Sequence, residues 1–272
     1  LVDLDPTIPR STARILTYNV HRWLGTDRQV SPGRIADVIA SCEPDIVALQ
    51  EVRVGRVRAG AVDQAAMVAA KLGMELHFQP TIRVFGEQFG IAVLTRHPSR
   101  VVRSGRLPCS PSAGPALEKR SALWVSVEIG GRQLHVVNAH LSLRSRERMV
   151  QAEALVGSNW IGHADCGDPA VLLGDFNAPP HSRSYRLFAS RLRDAQLSNP
   201  TGEPQATFHT RAPVLRLDHV FVTPSVEVVA AAPVRTPLAR VASDHFPLMA
   251  DLRLAPPAAA SIPANMASRE PA

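Results

Sequence analysis

The stretch that most constrains this chain begins with an apolar run, residues 170–173. It continues Gly174-Asp175-Phe176-Asn177-Ala178 and ends in Pro179 and Pro180. The run reads as a fully buried strand. Gly174 frees the backbone at its C-terminal end, and the prolines stop the strand. Asp175 and Asn177 stand two residues apart, so an extended backbone would put both side chains on one face. A carboxylate beside an amide at the mouth of a buried strand suits water activation near a hard cation. An Asx turn accounts for the same two residues without any chemistry.

Other apolar strands end in the same way. Residues 14–20 read as a strand ending in Asn19, and residues 45–49 as a buried strand with Gln50 and Glu51 at its end. Between them, Ser31 and Pro32 are an N-cap and a first-turn proline, and Ile35, Val38 and Ile39 give one helical face. Residues 53–60 read as an exposed loop. A second helix is expected over 62–72, its apolar face Ala66, Val68, Ala69 and Leu72. Short strands follow at 75–79, 90–95, 122–129 and 133–139. The last two are joined by Gly130-Gly131, a tight-hairpin signal, with His140 just beyond. A third helix is expected over 144–160, with Met149, Ala152, Val156 and Trp160 on one face, and a short one over 184–190. Residues 215–222 read as a strand carrying Asp218, and residues 246–254 close the domain. Residues 256–272 turn to Ala, Pro and Ser without periodicity and read as a disordered tail. The expected organisation is a lead-in over 1–13, one domain over 14–255, and that tail. Hairpins break strict βαβ alternation, which favours mixed sheets over a doubly wound parallel sheet. There is no GxGxxG or GxxxxGK[ST] motif, so nucleotide-cofactor readings are poor.

Composition narrows the partners. The 272 residues carry a net charge of +6, which fits an anionic partner without naming it. The cations are nearly all arginine, with Lys71 and Lys119 the only lysines. Arg96, Arg100, Arg103 and Arg106, with Arg144, Arg146 and Arg148, read either as a solvated face or as a polyanion track. The three cysteines, Cys42, Cys109 and Cys166, form no metal-finger or disulfide pattern. Aromatic residues are only 5%, too few for a rich base-stacking platform. No run is long enough to span a bilayer. A cytoplasmic location is favoured, and secretion stays open because the chain starts at Leu1.

The polar residues at strand ends form an ordered set. It comprises Thr17-Tyr18-Asn19-Val20, Leu49-Gln50-Glu51, Asn138-Ala139-His140-Leu141 and Gly174-Asp175-Phe176-Asn177. Leu217-Asp218-His219-Val220-Phe221 and Ser243-Asp244-His245 complete it. A carboxylate such as Asp218 inside an apolar strand is costly unless paired, and a histidine is its natural partner. In this order the motifs resemble the endonuclease/exonuclease/phosphatase superfamily, from residue 14 to residue 254. That group includes DNase I, abasic-site endonucleases, neutral sphingomyelinases and inositol-polyphosphate 5-phosphatases. The resemblance implies an α/β (α+β) fold, a four-layer sandwich of two mixed β-sheets packed face to face with helices outside.

The resemblance also implies roles. Glu51 is then the main ligand of Mg²⁺ or Mn²⁺, one ion or two, with Asn19 beside it and Asp244 completing or bordering the site. Such oxygen ligands suit hard cations rather than Zn²⁺. His245, held by Asp218, acts as base or phosphate contact; Asp175 positions or deprotonates the attacking water, and Asn177 orients it or the phosphate. His140 donates to a phosphate oxygen or to the leaving group, and Arg120 clamps phosphate. Glu87 is a candidate partner for the histidine. His21, His77, His97, His163, His181 and His209 read as surface or satisfied core residues, and His219 as pointing to the opposite sheet face. The expected activity is a divalent-metal-dependent phosphodiesterase. A DNase-like endonuclease comes second, a phospholipase or sphingomyelinase-type headgroup hydrolase third, and a catalytically silent binding module is the remote case. The expected partner is a phosphodiester substrate: small molecule, nucleic acid or phospholipid headgroup.

Overall fold

The computed structural model describes residues 11–55, 63–110, 118–200 and 202–255. The expected tail, residues 256–272, lies outside them, as do most of the expected lead-in and part of the 53–60 loop. The strands are β1 (Thr12–Asn19), β2 (Ile46–Val54), β3 (Glu75–Val84), β4 (Glu87–Thr95), β5 (Ser99–Arg106), β6 (Ser121–Ile129), β7 (Arg132–His140), β8 (Ala170–Asp175), β9 (Arg193–Asp194), β10 (Asp218–Val222), β11 (Val226–Pro233) and β12 (Leu248–Leu254). The helices are α1 (Pro32–Ala40), α2 (Gln64–Leu72), α3 (Ser145–Val156), α4 (Arg183–Ala189) and α5 (Pro237–Ala242).

Two six-stranded mixed sheets result, ordered β11-β12-β1-β2-β4-β3 and β5-β6-β7-β8-β10-β9. Their inner faces meet in one apolar layer that includes Ile15, Ala48, Val93, Val125, Val136, Leu173 and Val220. The outer face of the first sheet packs on α1, α2 and α5 through residues such as Leu16, Ile35, Val68 and Ala239. The outer face of the second packs on α3 and α4 through Leu172, Ala152, Leu155 and Phe188. This is the four-layer sandwich that the motif order implied. Alternation explains it: successive residues of each central strand face opposite layers, and both layers are dry.

Local signals set the helix starts. Ser31 Oγ accepts from the Arg34 amide and Pro32 fills the first turn of α1. Asp63 caps α2 through the Ala65 and Ala66 amides, so Ala65 rather than Ala66 joins Val68, Ala69 and Leu72 on its buried face. The buried face of α3 is Glu147, Gln151, Ala152 and Leu155; of the expected stripe, Ala152 is on it, Val156 packs at its edge, Met149 is off it, and Trp160 is buried beyond the helix end. Two members of the buried face are polar and were hidden from an apolar pattern. Gln151 Oε1 accepts from the Ser142 amide, and Glu147 takes the Ser110 amide and hydroxyl. The Gly130-Gly131 hairpin is present, both glycines at positive φ.

Strand β5 was not expected. Its arginines suggested a solvated face, but it forms the edge of the second sheet against β6. The arginine track does not survive intact: Arg96, Arg106 and Arg148 are committed to backbone carbonyls. β11 and α5 were missed because one is alanine-rich and the other only six residues long.

One buried polar pair joins the sheets. Gln50 Nε2 donates to Asn138 Oδ1 at 2.8 Å, and Asn138 Nδ2 donates to the carbonyls of Leu49 and Ala92. Both side chains are fully buried. Their bonds satisfy groups that would otherwise be costly inside an apolar layer, and they fix how one sheet sits on the other.

Candidate active site

Strand register assembles one half of the site. In the second sheet His140 of β7 pairs with Asp175 of β8, and Asp175 pairs with Asp218 of β10. Directly paired residues project to the same face, so three polar side chains form a row across three strands. Gly174 permits this packing. It sits at φ +143, and a Cβ there would lie 1.9 Å from the Ala139 carbonyl oxygen.

The first sheet supplies the other half. Asn19 ends β1 in register with Gln50 of β2. β2 does not stop at Glu51, as expected, but continues to Val54 through a β-bulge between Leu49 and Val52. Glu51 occupies that bulge at φ +55. A bulge re-aims a side chain without ending the sheet.

Asp175 is the hub. Its Oδ2 accepts from Asn19 Nδ2 at 2.9 Å, and its Oδ1 from the Asn177 amide at 2.9 Å. The second bond is an Asx turn with Asn177 at φ +48, so Asn177 reaches the site by a left-handed step, not by strand alternation. Its side chain donates to the Leu141 carbonyl at 3.1 Å beside His140. Asn19 Nδ2 also lies 3.3 Å from Glu51 Oε1, so one amide ties Glu51 to Asp175.

His245 completes the core of the site. Its Nδ1 is 2.8 Å from Asp218 Oδ2, and its Nε2 is 3.8 Å from Asp175 Oδ2. Phe208 packs on the imidazole, with centroids 4.7 Å apart. Burial alone would push His245 down, but the carboxylates of Asp218 and Asp175 dominate and raise it to about 10. Asp175 is pushed up to about 6, mainly by burial, with the Asp218 charge adding and His245 opposing. His140 behaves oppositely to His245. Burial, then Arg120 and His245, hold it well below the usual imidazole range. Arg120 Nη1 is 3.2 Å from His140 Nδ1, and a guanidinium can only donate. Nδ1 therefore accepts, and the proton of the neutral ring sits on Nε2, 3.4 Å from Asp175 Oδ2 and 3.3 Å from Asn177 Nδ2.

Arg120 is buried beside His140, with Nη2 on Glu118 at 3.1 Å. Asp244 borders the set: Ser243 Oγ donates to the Asn19 carbonyl at 2.7 Å and stands 3.3 Å from Asp244 Oδ1. Glu87 does not join it. It pairs with Arg53 at 2.6 Å.

Sequence reasoning passed over His21 and Arg22. His21 lies 3.7 Å from Asp244 and its amide donates to Asn19 Oδ1 at 3.0 Å, so it is not a bystander. Arg22 lies 3.7 Å from Glu51. His21, Arg22 and Trp23 form a 3-10 turn with φ of +44, +56 and +67. Left-handed backbone costs a non-glycine residue roughly 1–2 kcal/mol. With Glu51 and Asn177, five such residues gather at this one rim, where strain commonly marks function. Sequence periodicity carries no sign of φ, and of the five Asn177 is the residue type that best hints at it.

Two donor sets could hold a cation. Asp175, Asp218 and His245 offer atoms within 4.8 Å of one another. Their closeness is explained by the proton shared between His245 Nδ1 and Asp218 Oδ2 at 2.8 Å. Glu51, Asn19 and Asp244 are the better fit for a hard cation. They offer only oxygens, Glu51 has only long contacts to its neighbours, and Asn19 Oδ1 keeps a lone pair beyond its bond to His21.

A two-sheet sandwich with a carboxylate-histidine dyad opposite an oxygen donor set defines a class of metal-assisted phosphoester hydrolases. The chain belongs to the Endonuclease/Exonuclease/phosphatase family, whose profile matches residues 16–245. Its members hydrolyse phosphoric esters and generally use divalent metals. The chain is 27% identical over 259 residues to the uncharacterized protein YbhP of Escherichia coli K12, covering 89% of this chain and 96% of that one. The crystal structure of an endonuclease/exonuclease/phosphatase from Beutenbergia cavernae is similar, with TM-score 0.73 and 26% identity over 90% of this chain and 72% of that one. The mannosyl-6-phosphatase Bt3783 of Bacteroides thetaiotaomicron shares the fold, with TM-score 0.68 and 22% identity over 88% and 99% of the two chains.

Proposed function

We propose that this protein is a divalent-metal-dependent phosphodiesterase that hydrolyses a phosphate ester by in-line attack of water. The observation that carries this reading is Asp175, held between Asn19 and the Asn177 amide with His245 and His140 on either side. Glu51, with Asn19 and Asp244, would hold Mg²⁺ or Mn²⁺. The cation supplies charge stabilisation at a phosphoryl oxygen when bound. Asp175 orients the attacking water and takes its proton. Asn177 fixes the water or a phosphoryl oxygen. His245, kept cationic by Asp218, faces the phosphoryl group, and neutral His140 donates from Nε2 with Arg120 behind it.

The test is hydrolysis of bis-p-nitrophenyl phosphate with Mg²⁺ or Mn²⁺, with and without chelator. Metal-dependent turnover lost in Glu51→Ala and His245→Ala supports the reading. A protein inert with either metal is the silent binding module instead. Turnover of p-nitrophenyl phosphate but not of the diester makes it a monoesterase, the activity in the name of Bt3783. Nicking of supercoiled plasmid, suppressed by raised salt, would favour the DNase-like alternative. Headgroup release from phospholipid vesicles with the plasmid intact would favour the third.

A further inference from the structure

Next to the site a cleft enclosing about 660 Å³, its open mouth included, runs between the β3–β4 hairpin and the start of β6. Glu51, His140 and Arg120 form its catalytic end. Ile82, Val84 and Phe89 form an apolar wall; Arg22 and Lys119 add positive charge, and Glu118, the lining carboxylate besides Glu51, is paired with Arg120. Two guanidiniums therefore face one small space. Arg120 belongs to the reacting end: it is buried, it contacts His140, and its Nε is buried without a hydrogen-bond partner. Arg22 has no such place in the proposed chemistry.

Arg22 is nonetheless held deliberately. Its neighbour Trp23 is fully buried and donates from Nε1 to the Arg53 carbonyl at 2.7 Å. His21 on the other side is bonded to Asn19 Oδ1 and to the Leu24 carbonyl. Between these anchors the left-handed turn throws the Arg22 side chain outward, half exposed, over the Phe89 ring at 5.5 Å. Stacking on an aromatic face fixes a guanidinium while leaving its N–H edge open. Its carboxylate contact, Glu51 Oε2, is 3.7 Å away, beyond a proper hydrogen bond. An incoming anion has little to displace.

We propose that Arg22, stacked on Phe89, is a subsite for a second anionic group, so that the preferred substrate is a compact phosphodiester bearing another phosphate beside the scissile one. This rests on the phosphodiesterase reading above and names its substrate class. The apolar wall of Ile82, Val84 and Phe89 receives the organic group that links the two phosphates. A diester with a single charge is already matched by the Arg120 end, so Arg22 discriminates by charge count rather than by chemistry.

Two probes isolate the claim: thymidine 5′-(p-nitrophenyl phosphate) and the same ester carrying a 3′-phosphate. The wild-type protein should prefer the 3′-phosphorylated ester by about 10- to 100-fold in kcat/KM, through KM, the range expected for charge-assisted hydrogen bonds. Arg22→Gln should erase that preference, and Arg22→Lys should restore part of it. Phe89→Leu, which keeps apolar bulk but removes the ring, should weaken it. A binding arm in chelator, without turnover, compares thymidine 3′,5′-bisphosphate with thymidine 5′-monophosphate by calorimetry. The bisphosphate should bind more tightly to the wild type and lose that advantage in Arg22→Gln. Equal kinetics on the two esters, or a preference that survives Arg22→Gln, overturns the subsite. If neither ester turns over with metal yet the calorimetric preference holds and depends on Arg22, the phosphodiesterase reading fails and the subsite stands.

Discussion

β10 carries two adjacent residues that belong to two different aspartate–histidine pairs. Asp218 faces the inner layer and meets His245; His219 faces the outer layer and meets Asp194 of β9. Both pairs are buried, yet they are built for opposite ends. Asp218 has His245 at 2.8 Å, and its other oxygen, Oδ1, is buried without a hydrogen-bond partner. Asp194 is saturated. Tyr185 and Arg216 each donate to Oδ2 at 2.7 Å, and the Gln196 amide donates to Oδ1 at 2.8 Å. His219 Nδ1 is 3.7 Å away, too far to contribute a good hydrogen bond, and its Nε2 holds the Ala178 carbonyl at 2.8 Å. Burial would raise Asp194, but His219, Arg216 and Tyr185 together hold it well below the carboxylate range. A buried aspartate next to a histidine is therefore not enough for chemistry. The carboxylate must be short of other donors, so that its charge is spent on the imidazole.

The sharpest way to break this contrast is to neutralise each aspartate in turn. Asp218→Asn should lower kcat by about 10²- to 10⁴-fold, because an amide no longer fixes the imidazole tautomer or its charge. Asp194→Asn should leave kcat near wild type but destabilise the fold by about 3–5 kcal/mol, since Arg216, its side chain only 11% exposed, loses its counter-charge. Steady-state kinetics and urea unfolding on both variants decide the matter. A large kcat loss in Asp194→Asn with unchanged stability would mean the outer pair is part of the chemistry after all.

The same contrast shows what the sequence could and could not reveal. Asp218 and His245 were legible because each sits in a short motif at a strand end, and period-two alternation correctly put His219 on the other face. Mixed sheets were legible because the glycine hairpin interrupts βαβ alternation, while the four-layer sandwich followed only from the family resemblance of the ordered motifs. Asp194 was not legible. Its strand has two residues, and its partners Tyr185 and Arg216 come from separate segments. Nor was the bulge at Glu51, since a positive φ at a glutamate leaves no mark in composition. Gln50 and Asn138 were visible inside motifs, but their bond across the sheets depends on packing that no single strand encodes. His21 read as a bystander because nothing local links it to Asp244, 223 positions further along the chain by number (244 − 21).

pH sharpens the comparison next. His245 is raised to about 10 in the fold from an ordinary 6.5, so its stabilising contribution is complete below about pH 6.5 and is lost as pH rises through 10. Asp175 is raised too, but for a carboxylate this means that ionisation opposes folding, so stability falls as pH rises from about 4 to about 6. Asp218→Asn should move the alkaline limb of kcat/KM to lower pH, and Asp194→Asn should leave that limb in place. Imidazole titration by NMR reads the same difference without turnover. An alkaline limb that ignores Asp218→Asn would remove His245 from the charged role assigned to it.

The smallest effects come from the rings around each histidine. His219 is boxed by three aromatic side chains, Tyr185 at 5.0 Å, Phe221 at 5.7 Å and Phe176 at 5.9 Å between centroids. Around His245 the aromatic contact is Phe208, at 4.7 Å. The boxed ring is held by packing and by its bond to the Ala178 carbonyl, whereas His245 depends on Asp218 for its angle and on Phe208 for its tilt. Phe208→Leu keeps apolar volume but frees that tilt, and should cost about 3- to 10-fold in kcat, since small misplacement of a reacting group is felt steeply. Tyr185→Phe keeps the box and removes one donor from Asp194, and should cost about 0.5–1.5 kcal/mol of stability at unchanged kcat. If Phe208→Leu instead lowers only stability, the imidazole is positioned entirely by Asp218, and the two pairs differ in their carboxylates alone.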